Sequence, residues 1–180
     1  WMIEMSGLTN LTGLDSIHSV VSIYLWSNSQ LTSLHGLENL TGNIFYGFSI
    51  HDNPVLTSIS ALSGITTLTS GTLAVDNCPL LPNLTGLGNI TNIGKGLWIT
   101  NNALLTTLSY LDSNLVIYPA GSDSVRIFQN SQLALCSFLP ICNYLSNGGH
   151  ADIQNNAPGC NNISEILASC GNCTGGVFKT

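Results

Sequence analysis

The chain places an apolar residue at every third position over long stretches. After Asn53 this run consists of Leu56, Ile59, Leu62, Ile65 and Leu68. An α-helix spaces its apolar residues by 3.6 and a half-buried strand by two, so neither element explains the pattern. A path of 3₁₀-like or extended turns points every third residue the same way. The spacing therefore predicts a polygonal segment that lines one side of a core.

The same pattern recurs along the chain with a period close to 25 residues. Segments such as "YLWSNSQLTSLHGLENLTG" and "SIHDNPVLTSISALSGITT" align on Leu/Ile/Val-x-x-Asn-x-x-Leu. The Asn slot of this motif holds Asn28, Asn53, Cys78, Asn102, Asn130 and Asn156. A fixed period of this length indicates a repeat solenoid, in which stacked coils share one core.

Each copy begins with two apolar residues that alternate with polar ones, which is typical of a short strand. These pairs are Ile23/Leu25, Phe48/Ile50, Leu73/Val75, Leu97/Ile99, Val125/Ile127 and Ala151/Ile153. The predicted fold is a repeat solenoid with a parallel β-sheet on one face and irregular or 3₁₀ return segments. Residues 1–170 form a single solenoid in this interpretation, with full coils from about residue 23. An earlier partial copy has Met5 in its Asn slot.

The slot residue has a structural role in this prediction. A buried amide can pair with backbone N–H and C=O groups that lack sheet partners where the chain leaves a strand. Stacked copies would then form an asparagine ladder, meaning a row of side-chain amides that link successive coils. Cys78 is expected to occupy its slot as a free buried thiol, since no basic neighbour in sequence would activate it.

Composition narrows the classes of function. Only 7% of the residues are charged, the net charge is −6, and the chain has three Lys and Arg residues in total. A nucleic-acid-binding surface is therefore not expected. No apolar run approaches the length of a transmembrane helix, so the chain is predicted not to span a membrane. Cys136, Cys142, Cys160 and Cys170 are clustered in the last quarter, which indicates a disulfide staple and an extracellular or cell-surface location.

The segments "NPVLTSISALSGI", "NNALLTTLSYLD" and the cysteine-bearing end "CSFLPIC" resemble leucine-rich repeats of the receptor L-domain type. They are especially similar to arrays in secreted and surface proteins of Bacteroidetes-like bacteria. The resemblance covers about residues 8–170. It implies a surface recognition or adhesion module.

In such arrays the last, cysteine-rich repeat resembles a cap, here residues 130–170. Four cysteines allow three pairings. Their offsets from the Asn slots place them at similar phases of adjacent coils, which favours Cys136–Cys160 and Cys142–Cys170. Residues 171–180 are interpreted as a linker or the start of a further module, in which Cys173 pairs outside the array or stays an odd thiol.

Six Asn-x-Ser/Thr sequons are candidate glycosylation sites of a glycoprotein. They begin at Asn10, Asn39, Asn83, Asn89, Asn162 and Asn172. In a chain this rich in Asn and Thr, about half of them or more can arise from composition alone.

The outward positions of the predicted strands form two rows. The first row reads Tyr24, Ser49, Ala74, Trp98, Arg126 and Asp152, and the second reads Trp26, His51, Asp76, Thr100, Phe128 and Gln154. Exposed aromatic side chains on a sheet suggest contact with a partner, although they also pair with each other across strands. The candidate contact residues are Tyr24, Trp26, Ser49, His51, Asp76, Trp98, Thr100, Arg126 and Phe128.

Catalysis and cofactor binding are not expected. Ser49, His51 and Asp76 are predicted neighbours, but on an open sheet without the oxyanion hole and closed pocket that a catalytic triad needs. The four histidines show no metal-binding spacing, so no metal site is predicted.

The leading hypothesis is a non-enzymatic recognition or adhesion module that binds a protein or glycan through the strand face. The alternative is a structural subunit of a surface layer or filament that assembles with copies of itself. Ice binding is a third, less favoured interpretation, based on two hydroxyl rows that Pro82 and Asn83 interrupt. These rows are Thr32, Thr57 and Thr106, and Ser33, Ser58 and Thr107.

Overall fold

The computed structural model describes residues 2–5, 7–118 and 125–171. Its parallel strands form a β-solenoid of about five turns. The main sheet has the strand order β1-β2-β4-β6-β8-β10-β11, and a second, shorter sheet has the order β3-β5-β7-β9. The strands of the main sheet are β1 (Met2–Ile3), β2 (Ser22–Trp26), β4 (Gly47–His51), β6 (Leu73–Asp76), β8 (Leu97–Thr100), β10 (Val125–Phe128) and β11 (Ala151–Gln154). Those of the second sheet are β3 (Gly42–Ile44), β5 (Ile65–Leu68), β7 (Asn92–Ile93) and β9 (Val116–Ile117).

The predicted strand-forming pairs lie in the main sheet and in register. Ile23 pairs with Phe48, which pairs with Leu73, and the same alignment continues to the last strand. Every member of these pairs is buried except Ala151, which is half-buried. The predicted solenoid with a parallel sheet on one face is confirmed.

The return segments show why the apolar spacing is three. The backbone N–H of Leu37 donates to the carbonyl of Leu34, and the N–H of Leu40 donates to that of Leu37. Each such bond closes one tight turn, so the inward residue of one turn starts the next. In the coil after Asn53 the turn Ser60–Leu62 is a 3₁₀ helix. All five apolar residues of that run are at most 1% exposed.

The second sheet was not predicted. In β5 the buried residues are Ile65 and Leu68, with two outward-facing threonines between them. The strand thus keeps the spacing of three and shows no alternation that would identify it as a strand. It is held by pairing with the coils on either side, through β3 and β7.

A left-handed residue follows each strand of the main sheet. These residues are Glu4, Ser27, Asp52, Asn77, Asn101, Gln129 and Asn155, with φ between 49° and 57°. Each directly precedes the slot residue of its coil. Their backbones still continue the sheet, since the N–H of Asp52 donates to the Asp76 carbonyl at 3.2 Å. The left-handed residue thus turns the chain off the sheet without breaking the inter-coil ladder, and Asn and Asp tolerate this conformation best.

The asparagine ladder is present. Asn102 is fully buried, and its Oδ1 accepts from the backbone N–H of Cys78 at 3.0 Å. Its Nδ2 donates to the carbonyl of Val75 at 2.9 Å. Asn130 repeats both contacts one coil later, with the Asn102 N–H and the Ile99 carbonyl. Each amide therefore satisfies a donor and an acceptor of the preceding coil.

Cys78 interrupts the row of amides and is a free, buried cysteine. Burial raises the pKa of its thiol to about 12, although hydrogen bonds from Asn53 act in the opposite direction. The thiol therefore stays protonated and donates to the carbonyl of Asp76 at 3.5 Å. The expectation of an inert thiol agrees with this environment.

Two α-helices close the end of the core after β10, where the sequence indicated only irregular return segments. They are α1 (Leu139–Ser146) and α2 (Ile163–Cys170). The disulfides Cys136–Cys160 and Cys142–Cys170 are both formed, as predicted, with Cα–Cα distances of 5.5 and 5.6 Å. The second bond joins the two helices directly. Such bonds fit an oxidising, extracellular compartment.

Within the described part of the chain, no helix has the length and apolar character needed to cross a bilayer. The predictions made for Cys173, Asn172 and the rest of the segment after residue 171 lie outside the described residues.

The contribution of the asparagine ladder to stability can be measured by substituting two equivalent slot residues. Asn102→Ala leaves a buried N–H and a buried carbonyl unpaired, so we expect it to lower the free energy of unfolding by about 2–5 kcal/mol. Cys78→Ala removes only a weakly bonding thiol, and we expect a loss of about 1 kcal/mol. Urea denaturation of the two variants measures the difference. Equal losses would contradict the role assigned to the amide.

A pH dependence is expected at the start of α2. Backbone N–H groups of Asn161 and Gly159 donate to Glu165 and lower the pKa of its carboxyl from 4.5. The stabilisation is therefore present above pH 4.5 and is lost as the pH falls through the lower folded-state value. Glu165→Gln should melt below the wild type at pH 7, and the gap should close in acid. Melting curves between pH 2 and 7 test this, and a gap independent of pH would contradict it.

Candidate functional site

The side chains of the first outward row differ in size, and together they form a groove on the main sheet. Tyr24, Ser49, Ala74 and Trp98 lie in register on four successive coils. Two large residues thus flank two small ones. Adjacent strands are about 4.8 Å apart, so the two large side chains arise from backbones about 14 Å apart. The small residues form the floor between them.

The groove has a volume of about 820 Å³ and is lined by all nine predicted contact residues. This volume lies in the range of about 300–1,000 Å³ that is usual for ligand sites. Other lining residues were not predicted because they lie outside the two rows. They include Glu4, Tyr46, Asp52, Lys95 and Asn101.

The first wall of the groove is aromatic. Tyr24 and Trp26 pack edge to face with ring centroids 5.6 Å apart, and the Trp26 ring lies 6.4 Å from that of His51. Trp26 Nε1 donates to Ser49 Oγ at 3.0 Å. Gly47 gives the Tyr24 hydroxyl room, because a Cβ at this position would lie 2.9 Å from it. These contacts hold the rings upright over the small residues of the next coil.

A polar cluster lies where the strands end. His51 Nε2 is 2.9 Å from a carboxylate oxygen of Asp52, and its Nδ1 contacts the carboxylate of Asp76. Thr100 Oγ1 donates to the other Asp76 oxygen, which also accepts from Asn101 Nδ2 at 2.9 Å. All the carboxylates here are acceptors held in place by neighbouring donors. Thr100 itself is only 5% exposed, so it positions Asp76 and offers little surface of its own.

The second wall combines an aromatic ring with a cation. The Arg126 guanidinium carbon lies 4.7 Å from the centroid of the Trp98 ring. The register places Arg126 beside Trp98 on one side and Asp152 on the other. Phe128 lies two residues further along the same strand, and Lys95 lies just before the strand that carries Trp98. The wall therefore carries positive charge in an otherwise acidic chain.

Ser49 and His51 lie on the same face, but no hydrogen bond joins them among the described residues. Ser49 Oγ instead accepts from Trp26. The arrangement shows no nucleophile paired with a base, which a Ser-His mechanism requires.

His51, Asp52 and Asp76 offer ligand atoms within 4.8 Å of one another, close enough for a metal ion. Both ring nitrogens of His51 already face carboxylates. A metal bound by the His51 ring would have to replace one of those contacts.

The remaining predicted surface positions lie away from the groove. Thr32, Thr57 and Thr106 are exposed, and Ser33, Ser58 and Thr107 are half-buried. Thr32 and Thr57 each donate to a carbonyl of the preceding coil at 3.0 Å, so these two hydroxyls also serve the solenoid.

Among the sequons, Asn39, Asn89 and Asn162 are exposed, while Asn10 and Asn83 are half-buried. Asn39 and Asn89 donate from Nδ2 to backbone carbonyls of the preceding coil, at 2.8 and 2.7 Å. Glycosylation of the five described asparagines stays a prediction.

No protein-family model matches the chain, and searches of curated proteins and of solved structures found no match.

The buried hydroxyl of Thr100 is predicted to stabilise the protein through its hydrogen bond to Asp76. Thr100→Val keeps the shape and removes the donor to the Asp76 carboxylate. We expect a loss of about 1–3 kcal/mol in the free energy of unfolding, typical of a hydrogen bond to a charged group. Thr106→Val, at an exposed position, is the control and should change stability by less than about 0.5 kcal/mol. Urea denaturation measures both. Similar small effects would show that Thr100 does not support Asp76.

Proposed function

We propose that the protein is an extracellular recognition or adhesion module that binds a protein or glycan ligand through the groove on its main sheet. The observation that carries this proposal is the row of large, small, small and large side chains from Tyr24 to Trp98. It makes a concave site on a fold whose sheet would otherwise be flat. Concave, partly aromatic sites with a few fixed polar groups are typical of ligand binding.

Several properties of the groove support binding over catalysis. Trp26 and Trp98 expose part of their rings, and such residues often dominate binding energy. The polar groups at the strand ends are held by one another and by Thr100. The groove is therefore largely pre-formed, which lowers the entropic cost of binding.

The location is supported by the two disulfides, which are stable in an oxidising compartment. The resemblance to leucine-rich repeats of surface receptors, with their recognition role, supports the same proposal.

Filling the groove tests the proposal without removing any polar contact. Ala74→Phe would place a ring on the floor between the two walls. We expect wild-type protein to bind members of an array of defined saccharides and extracellular proteins. The variant should bind the same members at least about tenfold more weakly, the equivalent of about 1.4 kcal/mol.

Gln154→Phe is the matched control, since Gln154 is exposed on the same sheet beyond the groove. It should bind as the wild type does. Unchanged binding by the Ala74 variant would contradict the proposal. Ordered assembly of the purified wild type that persists in this variant would instead favour a self-assembling subunit.

A further inference from the structure

The Lys and Arg residues in the described part of the chain lie at the groove. The sequence has three Lys and Arg residues and a net charge of −6. Two of the three, Lys95 and Arg126, belong to the described residues, and both line the groove. The third is Lys179, which lies outside them. On an acidic protein, two cationic side chains on one part of a concave surface favour a ligand that carries negative charge there.

Lys95 is placed to meet such a ligand. It is exposed, and among the described residues it forms no ion pair. Its backbone N–H donates to the carbonyl of Gly71, the neighbouring position on the preceding coil.

Arg126 contributes a second, more directional donor. Its guanidinium packs on the Trp98 ring, and Asp152 lies beside it in the register. The contact with Trp98 holds the guanidinium near the ring, and guanidinium N–H groups match the two oxygens of a carboxylate. A single Lys would recognise only charge, whereas the pair also selects a planar anionic group.

The opposite edge of the groove has the reverse character. Asp52 and Asp76 present carboxylate oxygens, and they would repel an anion. Both oxygens of Asp52 and one oxygen of Asp76 have a single partner each, so each can accept a further hydrogen bond from a hydroxyl group. The ligand should therefore carry hydroxyl donors towards the strand ends and an acidic group towards Lys95 and Arg126.

We infer that the ligand is a carboxylated oligosaccharide, bound with its carboxylates at Lys95 and Arg126 and its hydroxyls at Asp52 and Asp76. This inference rests on the proposed function and specifies its ligand. The apolar C–H face of a sugar ring packs on an indole, and Trp26 and Trp98 supply two. Their strands are about 14 Å apart, which suits several linked sugars better than one.

An acidic peptide fits the groove less well. Peptides commonly bind a sheet by adding a strand to a free edge. Here the groove lies on the face of the sheet, where backbone groups of β2, β4, β6 and β8 are paired with neighbouring strands. A peptide also has few hydroxyl donors for Asp52 and Asp76.

Calorimetric titration of the full chain with two related probes tests this inference. The first is a tetrasaccharide of galacturonic acid, and the second is the same tetrasaccharide with every carboxyl converted to a methyl ester. We expect the acid to bind, and the ester to bind at least about tenfold more weakly. Raising the salt concentration should weaken binding of the acid more than binding of the ester.

Substitutions of the two cationic residues test whether they bind the carboxylates of the ligand. Lys95→Gln and Arg126→Gln should each weaken binding of the acid by about tenfold and leave binding of the ester unchanged. Gln154→Glu is the control, since it changes the net charge by the same amount outside the groove and should have no effect.

Equal binding of acid and ester, abolished in both cases by Ala74→Phe, would overturn the inference and leave the groove as a site for neutral sugars. A pentaglutamate peptide that binds as well as the acid, and depends on Lys95, would overturn it in favour of an acidic peptide. Failure of the wild type to bind the acid would also overturn it. The array experiment on the Ala74 variant tests the proposed function separately.

Discussion

Each coil of this solenoid has to leave the sheet while its backbone N–H and C=O groups still face the core. An unpaired buried group costs about 1–3 kcal/mol, and the cost would recur in every coil. The chain meets this constraint with two adjacent residues, a left-handed one that turns the backbone and a buried amide that pairs with the preceding coil. Asp52 with Asn53 and Asn101 with Asn102 show the arrangement. Stacking of the sheet and burial of the leucines depend on this corner.

Cys78 shows that the corner tolerates a residue other than asparagine in the slot. Its thiol is a weak partner, yet its coil is completed by neighbours, since Asn102 accepts from its N–H and Asn53 donates to its sulfur. Each corner is shared between two coils, so the partners of Cys78 come from the coils on both sides of it. At β11, the last strand of the main sheet among the described residues, two helices and two disulfides lie beside the core instead of another strand.

Sequence reasoning succeeded where the repeat imposes regularity. The strand register, the Asn slots and the pairing of Cys136 with Cys160 all follow from a position recurring at nearly fixed spacing. The predictions failed where contacts outside the repeat pattern determine the secondary structure. The helix at Leu139–Ser146 interrupts the spacing of three, and β5 keeps that spacing while pairing as a strand. Lys95 lies before its strand rather than in an outward row, and only the folded structure brings it to the groove.

The alternation of inward and outward residues separates two tasks along each strand. Ile50, Val75 and Ile99 hold the coils together and are fully buried, while Ser49, Ala74 and Trp98 beside them shape the surface. A change in one set leaves the other nearly untouched. The scaffold can therefore acquire a new specificity by exchanging a few short side chains, and a longer binding site by adding a coil, without redesign of its interior.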